Sequence, residues 1–262
     1  MASHSSLPKV SIVTVCFNSA ATIRDTIESI LSQDYPAIEH LIIDGGSTDR
    51  TLDIVRSYGE RIAVVVSEPD RGIYDAMNKG IRLASGAVIG TLNSDDAYTD
   101  PRAVSDLVDA LQRSGADCVF ADLVYVDRDD PARVRRYYDS GKWSPARLRF
   151  GWMPAHPTLF VKRAWYERCG PYSLEYRIAA DYEMIVRLLH VARARYAHVP
   201  RPVVRMRIGG ISTQGLRHSL LLNREIVRAC RAHGIWTALP LVLMKLPAKL
   251  IERIRVPRGA RA

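Results

Sequence analysis

Residues Val88-Ile89-Gly90-Thr91-Leu92-Asn93-Ser94-Asp95-Asp96 pass from an apolar, β-branched run straight into Asn, Ser and two adjacent carboxylates. A run of this length and bounding reads as a buried strand. Its polar end then falls at the strand's C-terminal edge, where open α/β sheets place their ligands. Side-by-side aspartates repel, so the pair is costly unless a cation or a hydrogen-bond network offsets it. Hard divalent ions such as Mg²⁺ take oxygen ligands and keep phosphate oxygens as partners. One meaning of the segment is therefore a metal–diphosphate site. The other is a solvated turn, for which Asn, Ser and Asp are the commonest residues.

The flanking chain alternates strand and helix. Val10–Cys16, Glu39–Asp44, Ile62–Ser67 and Cys118–Val126 read as strands. Between them, Ala21–Ser32 places Ile23, Ile27, Ile30 and Leu31 on one helical face, and Thr51–Tyr58 and Ala76–Ala84 read as helices. Asp100-Pro101 caps a further helix bearing Val104, Leu107, Val108 and Leu111. This alternation predicts an α/β fold with a mostly parallel sheet and right-handed crossovers. After Asp127 the pattern changes: Arg128–Arg149 reads as a basic loop or meander, His156–Lys162 as a strand, and Asp181–His190 as a helix. Val203–Ile208 alternates like an edge strand ended by Gly209-Gly210, Gly209-Gly210-Ile211-Ser212 suits a turn or a flexible active-site flap, and Leu216–His233 is again helical. We expect a main domain over residues 1–215 and a basic, amphipathic helical extension over 216–262.

A chain of 262 residues with 47% hydrophobic and 25% charged residues is ordinary for a globular protein. Met1–Lys9 lacks the basic and apolar regions of a secretory signal, and no apolar stretch of about 18 residues predicts a spanning helix. The four cysteines, Cys16, Cys118, Cys169 and Cys230, show no CxxC spacing, which suits buried thiols in a reducing cytoplasm. The net charge of +9 is unevenly spread: residues 1–130 carry −10 and residues 131–262 carry +19. The basic half calls for an anionic partner, and nucleic acid, an anionic membrane and a phosphate-bearing substrate all qualify. Nucleic acid is disfavoured because no helix-turn-helix, finger or RNP pattern is present.

Three predicted strand ends finish in ligand-type residues: Cys16-Phe17-Asn18, Asp44-Gly45-Gly46 and Asn93-Ser94-Asp95-Asp96. In a parallel sheet they emerge on one edge. An aromatic to stack on a base, a carboxylate to accept its hydrogen bonds and an acidic pair to hold a cation suit a nucleoside diphosphate. No GxxxxGK[ST] or GxGxxG fingerprint competes with this.

The ordered segments Ser11–Asn18, Ile42–Thr51, Ser67–Gly80 and Asn93–Asp96 resemble family 2 glycosyltransferases of the GT-A fold, in the subgroup that builds bacterial surface polysaccharides and glycolipids. The resemblance runs from about Val10 to about His190. It implies a nucleotide-sugar donor, UDP-linked by default, a lipid-linked or saccharide acceptor, and a divalent cation, Mg or Mn. It implies nucleotide-sugar contacts from Cys16, Phe17, Asn18, Asp44, Asp75, Asn93, Ser94 and Asp95, and from Met77, which stands where relatives often carry an Arg against the diphosphate; Lys79 or Arg71 could compensate. Asn93-Ser94-Asp95 overlays the family's DxD signature with Asn for the first Asp, which weakens the metal site or moves coordination onto Asp95 and Asp96. His156 is a further candidate for the metal or diphosphate, against the commoner role of a structural histidine. Ala179-Ala180-Asp181-Tyr182-Glu183 matches the family's Glu-Asp segment, with Ala180 replacing Glu and Asp181 kept as catalytic base. As a helix start, Asp181 also suits an N-cap. The resemblance implies inverting transfer, and the Gln-x-x-Arg-Trp motif of processive synthases is missing, which points to one sugar at a time.

Substitutions at Asn93, Met77 and Ala180 leave open an inactive nucleotide-sugar-binding scaffold. Ile235–Ile254 is apolar, broken by Pro240 and Pro247, and flanked by cations. It fits an element lying in an anionic membrane interface, giving a cytoplasmic protein peripheral on the inner face of the cell membrane. The alternative is a helix pair packed on the core, or a homodimer contact.

Overall fold

The computed structural model describes residues 7–209 and 215–245. Its first half follows the alternation: β1 (Val10–Cys16), α1 (Ile23–Leu31), β2 (Ile38–Asp44), α2 (Thr51–Arg56), β3 (Val64–Ser67), α3 (Ile73–Leu83) and β4 (Val88–Thr91). Every residue of β1 is buried, as expected of a strand covered on both faces. Gly80 lets α3 lie close on the sheet, since a Cβ there would stand 2.2 Å from Val13 Cγ1. Then come β5 (Asp96–Tyr98), α4 (Ala103–Ser114), β6 (Cys118–Val126), β7 (Val134–Tyr138), β8 (Phe160–Lys162), α5 (Arg163–Cys169), α6 (Ala180–Ile185), β9 (Tyr196–Arg207), α7 (Gly215–Ala232) and α8 (Leu239–Leu243).

Among the described residues, one sheet runs β3-β2-β1-β4-β8-β6-β9-β5, with β7 added to β6. The first four strands are parallel, as the alternation requires. Beyond β4 the sheet is mixed: β8 is antiparallel to β4 and β6, while β6 and β9 are parallel. Register sets the functional edge. Cys16 pairs with Asp44 and Asp44 with Ser67, so three strands end level. The chain leaving β4 stays on this edge, with the Leu92 N–H donating to Val13 O and the Ser94 N–H to Val15 O.

Several local expectations shift. The Arg128–Arg149 loop contains β7, folded back on β6 as a hairpin. His156–Thr158 forms a single 3₁₀ turn around Pro157, so only Phe160–Lys162 is strand. The helix from Ala180 widens into a π turn over Val186–Val191. β9 begins earlier than Val203 and lies between β6 and β5, so it is not an edge strand. Its register on β6 slips beside Pro200 and Pro202, which have no N–H for the ladder.

The segment from residue 216 is packed on the body through residue 245. Ile226, Ala229, Cys230, Ile235 and Val242 join the same core as Val13 and Ile43. α8 starts at Leu239-Pro240, a position that tolerates Pro, and buries Val242 against Gly151. The membrane expectation for Ile235–Ile254 therefore divides: residues 235–245 pack largely on the core, and residues 246–262 lie outside the described residues. So do residues 210–212 of the expected flap. Among the described residues no helix is long and apolar enough to cross a membrane. All four cysteines are free, and Cys16, Cys118 and Cys230 are buried.

Candidate active site

Hydrogen bonds stitch the loops after β1, β2 and β4 together. The Asn18 N–H donates to Ser47 Oγ (2.8 Å), and Asn18 Oδ1 accepts from the Thr48 N–H (2.9 Å). Asn18 holds a positive φ of 48°, a region that Asn visits more readily than most residues. Next to it, the Ser19 N–H donates to Thr51 Oγ1 (2.7 Å), and the Ser19 and Ser94 hydroxyls lie 2.8 Å apart. Cys16, Phe17, Asn18, Asp44, Asn93, Ser94 and Asp95 thus share one edge, as the strand-end argument requires.

They do not all face a ligand. Phe17 is 62% exposed and free to stack. Asp44 is fully buried: Oδ2 accepts from the Gly46 and Ser47 N–H groups and the Ser67 hydroxyl, and Oδ1 from the Ser47 hydroxyl. Burial alone would raise its pKa, but these donors outweigh it and hold the carboxyl below its ordinary value. Asp44 therefore organises the turn beneath the site, and a base contact would require one of these donors to yield. The Cys16 thiol donates to Asp44 Oδ1 (3.6 Å) and is buried, so it too belongs to the floor. Burial, then the Asp44 charge, pushes its pKa up, keeping it a thiol.

The loop before α3 closes over this turn. Asp70 lies so near Gly45 that a Cβ there would meet its Oδ2 at 2.5 Å. Asp75 accepts from the Arg71 N–H (3.1 Å) and ion-pairs with its guanidinium (3.4 Å), fixing the start of the helix. Met77 corrects the sequence expectation: it is 2% exposed and sits in the core behind α3, because its position on the helix faces the sheet. Lys79, one possible substitute for the missing Arg, is tied to Glu68 (2.9 Å) and Pro69 O (3.0 Å). Arg71 keeps an exposed guanidinium on this loop.

In the acidic turn, Asn93 Nδ2 reaches Asp96 Oδ2 (3.5 Å), while the Asp96 carbonyl accepts from Thr26 Oγ1 (2.7 Å). Arg207, not singled out from sequence, donates to the Asp95 carbonyl (3.0 Å) and pairs with Asp25. Burial raises the pKa of Asp95 against the Arg207 and Arg128 charges. Asp96 is raised well above its ordinary value by burial and by the Asp95 charge. Its Oδ1 is buried with no hydrogen-bond partner among the described residues. A repelling carboxyl pair with an orphaned oxygen would suit a hard divalent cation, held by Asp95 and Asp96. His156 does not join the pair. Its Nε2 is bonded to the Tyr172 hydroxyl (2.7 Å), and no three His, Cys, Asp or Glu side chains group as a metal cage among the described residues. The ring is buried, and desolvation lowers its pKa against the Asp181 charge.

Asp181 is the second residue of α6 and is half-buried. Its Oδ1 accepts from the Tyr182 N–H (2.7 Å) and lies 3.2 Å from the Tyr74 hydroxyl, whose one proton is shared with Ile178 O (2.5 Å). Burial raises its pKa, opposed by His156, the Tyr182 N–H and Tyr74. Tyr74 is the physical link to the nucleotide edge, since it stands beside Asp75 on the helix that follows the Asp70 loop. Ser47 and Ser67, inside the segments that carry the resemblance, also shape the site, as do Tyr172 and Glu225, which have no local sequence signal.

This curled α/β sheet, with three stitched strand-end loops and a carboxyl pair, is the architecture of GT-A nucleotide-sugar transferases. S. aureus TarS in complex with UDP-GlcNAc superposes with a TM-score of 0.68 at 16% identity, over 91% of this chain and 71% of TarS. The mannosyltransferase PcManGT of Pyrobaculum calidifontis, with GDP-Man and Mn²⁺, gives 0.64 at 19% identity over 95% and 74%. A Mycobacterium bovis glycosyltransferase of PGL/p-HBAD biosynthesis is 29% identical over 96% of this chain and 95% of its own length. The model of glycosyl transferase family 2 matches residues 11–168, so the chain belongs to that family and is a glycosyltransferase.

Proposed function

We propose that this enzyme moves one sugar, with inversion, from a nucleoside-diphosphate donor to a hydroxyl of a lipid-linked or saccharide acceptor in cell-surface polysaccharide or glycolipid synthesis. The observation that carries the proposal is Asp181: a desolvated carboxylate with one oxygen held by the Tyr182 N–H and approached by Tyr74, leaving Oδ2 to take a proton. As the acceptor oxygen bonds to the anomeric carbon, its proton passes to Asp181 and the sugar–phosphate bond breaks. A carboxyl raised above its ordinary pKa is a stronger base at neutral pH. Asp95 and Asp96 would hold a divalent cation, whose charge stabilises the departing diphosphate. Phe17 offers its face to the base, above the turn shaped by Asp44. A UDP-sugar is the default donor, in keeping with UDP-GlcNAc in the TarS complex.

The test is Asp181→Asn assayed against UDP-, GDP- and dTDP-sugars with Mg²⁺ or Mn²⁺. We expect turnover to fall about 10²–10⁴-fold, the usual weight of a general base, while the thermal shift given by the nucleotide is kept. Undiminished turnover removes Asp181 as the base, and absence of any donor turnover by the wild type favours a binding scaffold.

A further inference from the structure

The turn that delivers Asp181 is held from a helix more than forty residues further along the chain. Glu225, on α7 and only 8% exposed, accepts three backbone hydrogen bonds of 2.9 Å: Oε1 from the Arg177 N–H, and Oε2 from the Ile178 and Ala179 N–H groups. These are the residues immediately before α6. From the other side, α3 fixes the same peptide through the Tyr74 hydroxyl on Ile178 O (2.5 Å). Ala179 and Ala180 are fully buried, so the turn is packed tightly between the two helices. A helix start needs acceptors for its free N–H groups, but a local Ser, Thr, Asp or Asn ordinarily supplies one. Here residue 179 is Ala and gives no side-chain cap; Asp181 Oδ1 takes the Tyr182 N–H, and Glu225 takes the three N–H groups that lead into the helix.

We propose that Glu225 is a positioning residue for Asp181: its two oxygens lock the Arg177–Ala179 turn so that the Asp181 carboxylate is aimed at the acceptor hydroxyl. This rests on the reading of Asp181 as the base. The arrangement is unforgiving of small changes. Glutamine offers one acceptor oxygen and sets an N–H₂ group against one of the backbone donors. Aspartate is one methylene short, and alanine removes both oxygens. A displacement of about 1 Å at a reacting group costs on the order of a hundredfold in rate.

The full chain and its Glu225→Gln, Glu225→Ala, Asp181→Asn and Asp181→Asn/Glu225→Gln variants are compared by hydrolysis of UDP-GlcNAc and GDP-mannose with Mn²⁺, well below each variant's melting temperature. Amide hydrogen exchange is followed in the peptide spanning residues 177–182. We expect Glu225→Gln to lower kcat about tenfold to a hundredfold, with donor KM within about twofold and faster exchange in that peptide. We expect it to add almost nothing in the Asp181→Asn background, because both changes act on one group. Unchanged kcat in Glu225→Gln, unchanged exchange in Glu225→Ala, or an equal further loss in the double variant overturns the proposal. Should Asp181→Asn alone lose nothing, the base reading fails, and the exchange measurement still decides whether Glu225 holds the turn.

Discussion

Tyr74 shows how one hydroxyl joins the halves of the site. Its single O–H is within reach of both Ile178 O (2.5 Å) and Asp181 Oδ1 (3.2 Å), and sharing the proton with the latter favours the ionised carboxylate. Tyr74→Phe removes that support, so the Asp181 pKa rises further above its ordinary value. The base works deprotonated, and turnover falls as pH drops through its pKa. The acid limb of kcat/KM should therefore move to higher pH in Tyr74→Phe, by up to about one unit for a hydrogen bond of ~1 kcal/mol. An acid limb at the wild-type pH would show that Tyr74 does not touch the titrating group. At this scale, residue identity was legible in the sequence and orientation was not. Asp181 and Asp95 could be named from their surroundings in the chain, but Met77 and Cys16 are turned away from the ligand edge by packing that no motif records.

β2 carries the clearest acid sensitivity at the level of an element. Inside this buried strand, His40 has its Nε2 3.0 Å from Thr14 Oγ1 and its Nδ1 unpartnered among the described residues. Burial lowers its pKa to about 3. Its neighbour Glu39 accepts from Lys9, Ser11 and Ser85. Burial would raise its pKa, but these bonds bring it down to about 2. Both folded pKa values lie below the unfolded ones, so the unfolded chain takes up protons first as pH falls. Stability should decline from about pH 6.5 to about pH 3 through His40, by up to ~1.4 kcal/mol per pH unit, and further below about pH 4.5 through Glu39. Urea unfolding at pH 6.5 and pH 4.5 should give a smaller stability difference in His40→Asn than in the wild type; an equal difference places the titration elsewhere. The strand itself was plain from its apolar run, whereas β7 and the first half of β9 were not. β7 is basic and aromatic, and β9 is interrupted by prolines, so neither shows a clean alternation; pairing with β6 makes them strands.

Across the whole molecule, the basic half packs against the acidic half and presents a surface of mixed character. Trp236 is 68% exposed and Met244 63% exposed, either side of α8, with the Arg149 guanidinium 5.9 Å from the Trp236 ring centre. Large exposed apolar side chains beside cations suit an anionic lipid surface, where a lipid-linked acceptor would be met. This is our reading of the protein as peripheral on the inner membrane face. The double change Trp236→Ser/Met244→Ser should weaken sedimentation with phosphatidylglycerol vesicles about tenfold, for ~1.5 kcal/mol of lost apolar burial, and leave the melting temperature nearly unchanged. Equal sedimentation of variant and wild type argues against membrane contact through this face.

The strand–helix alternation of the first half, the polar strand ends and the acidic turn were written in the sequence, because each depends on residues within about ten positions of one another, and the order of those short motifs carried the family. Only the tertiary structure decided that Met77 belongs to the core, that Asp44 braces a turn, that His156 pairs with Tyr172 and that Glu225 grips the approach to Asp181. Local periodicity sets which residues share a face. Which partner that face meets is settled by packing between segments far apart in the chain, and no local pattern encodes it.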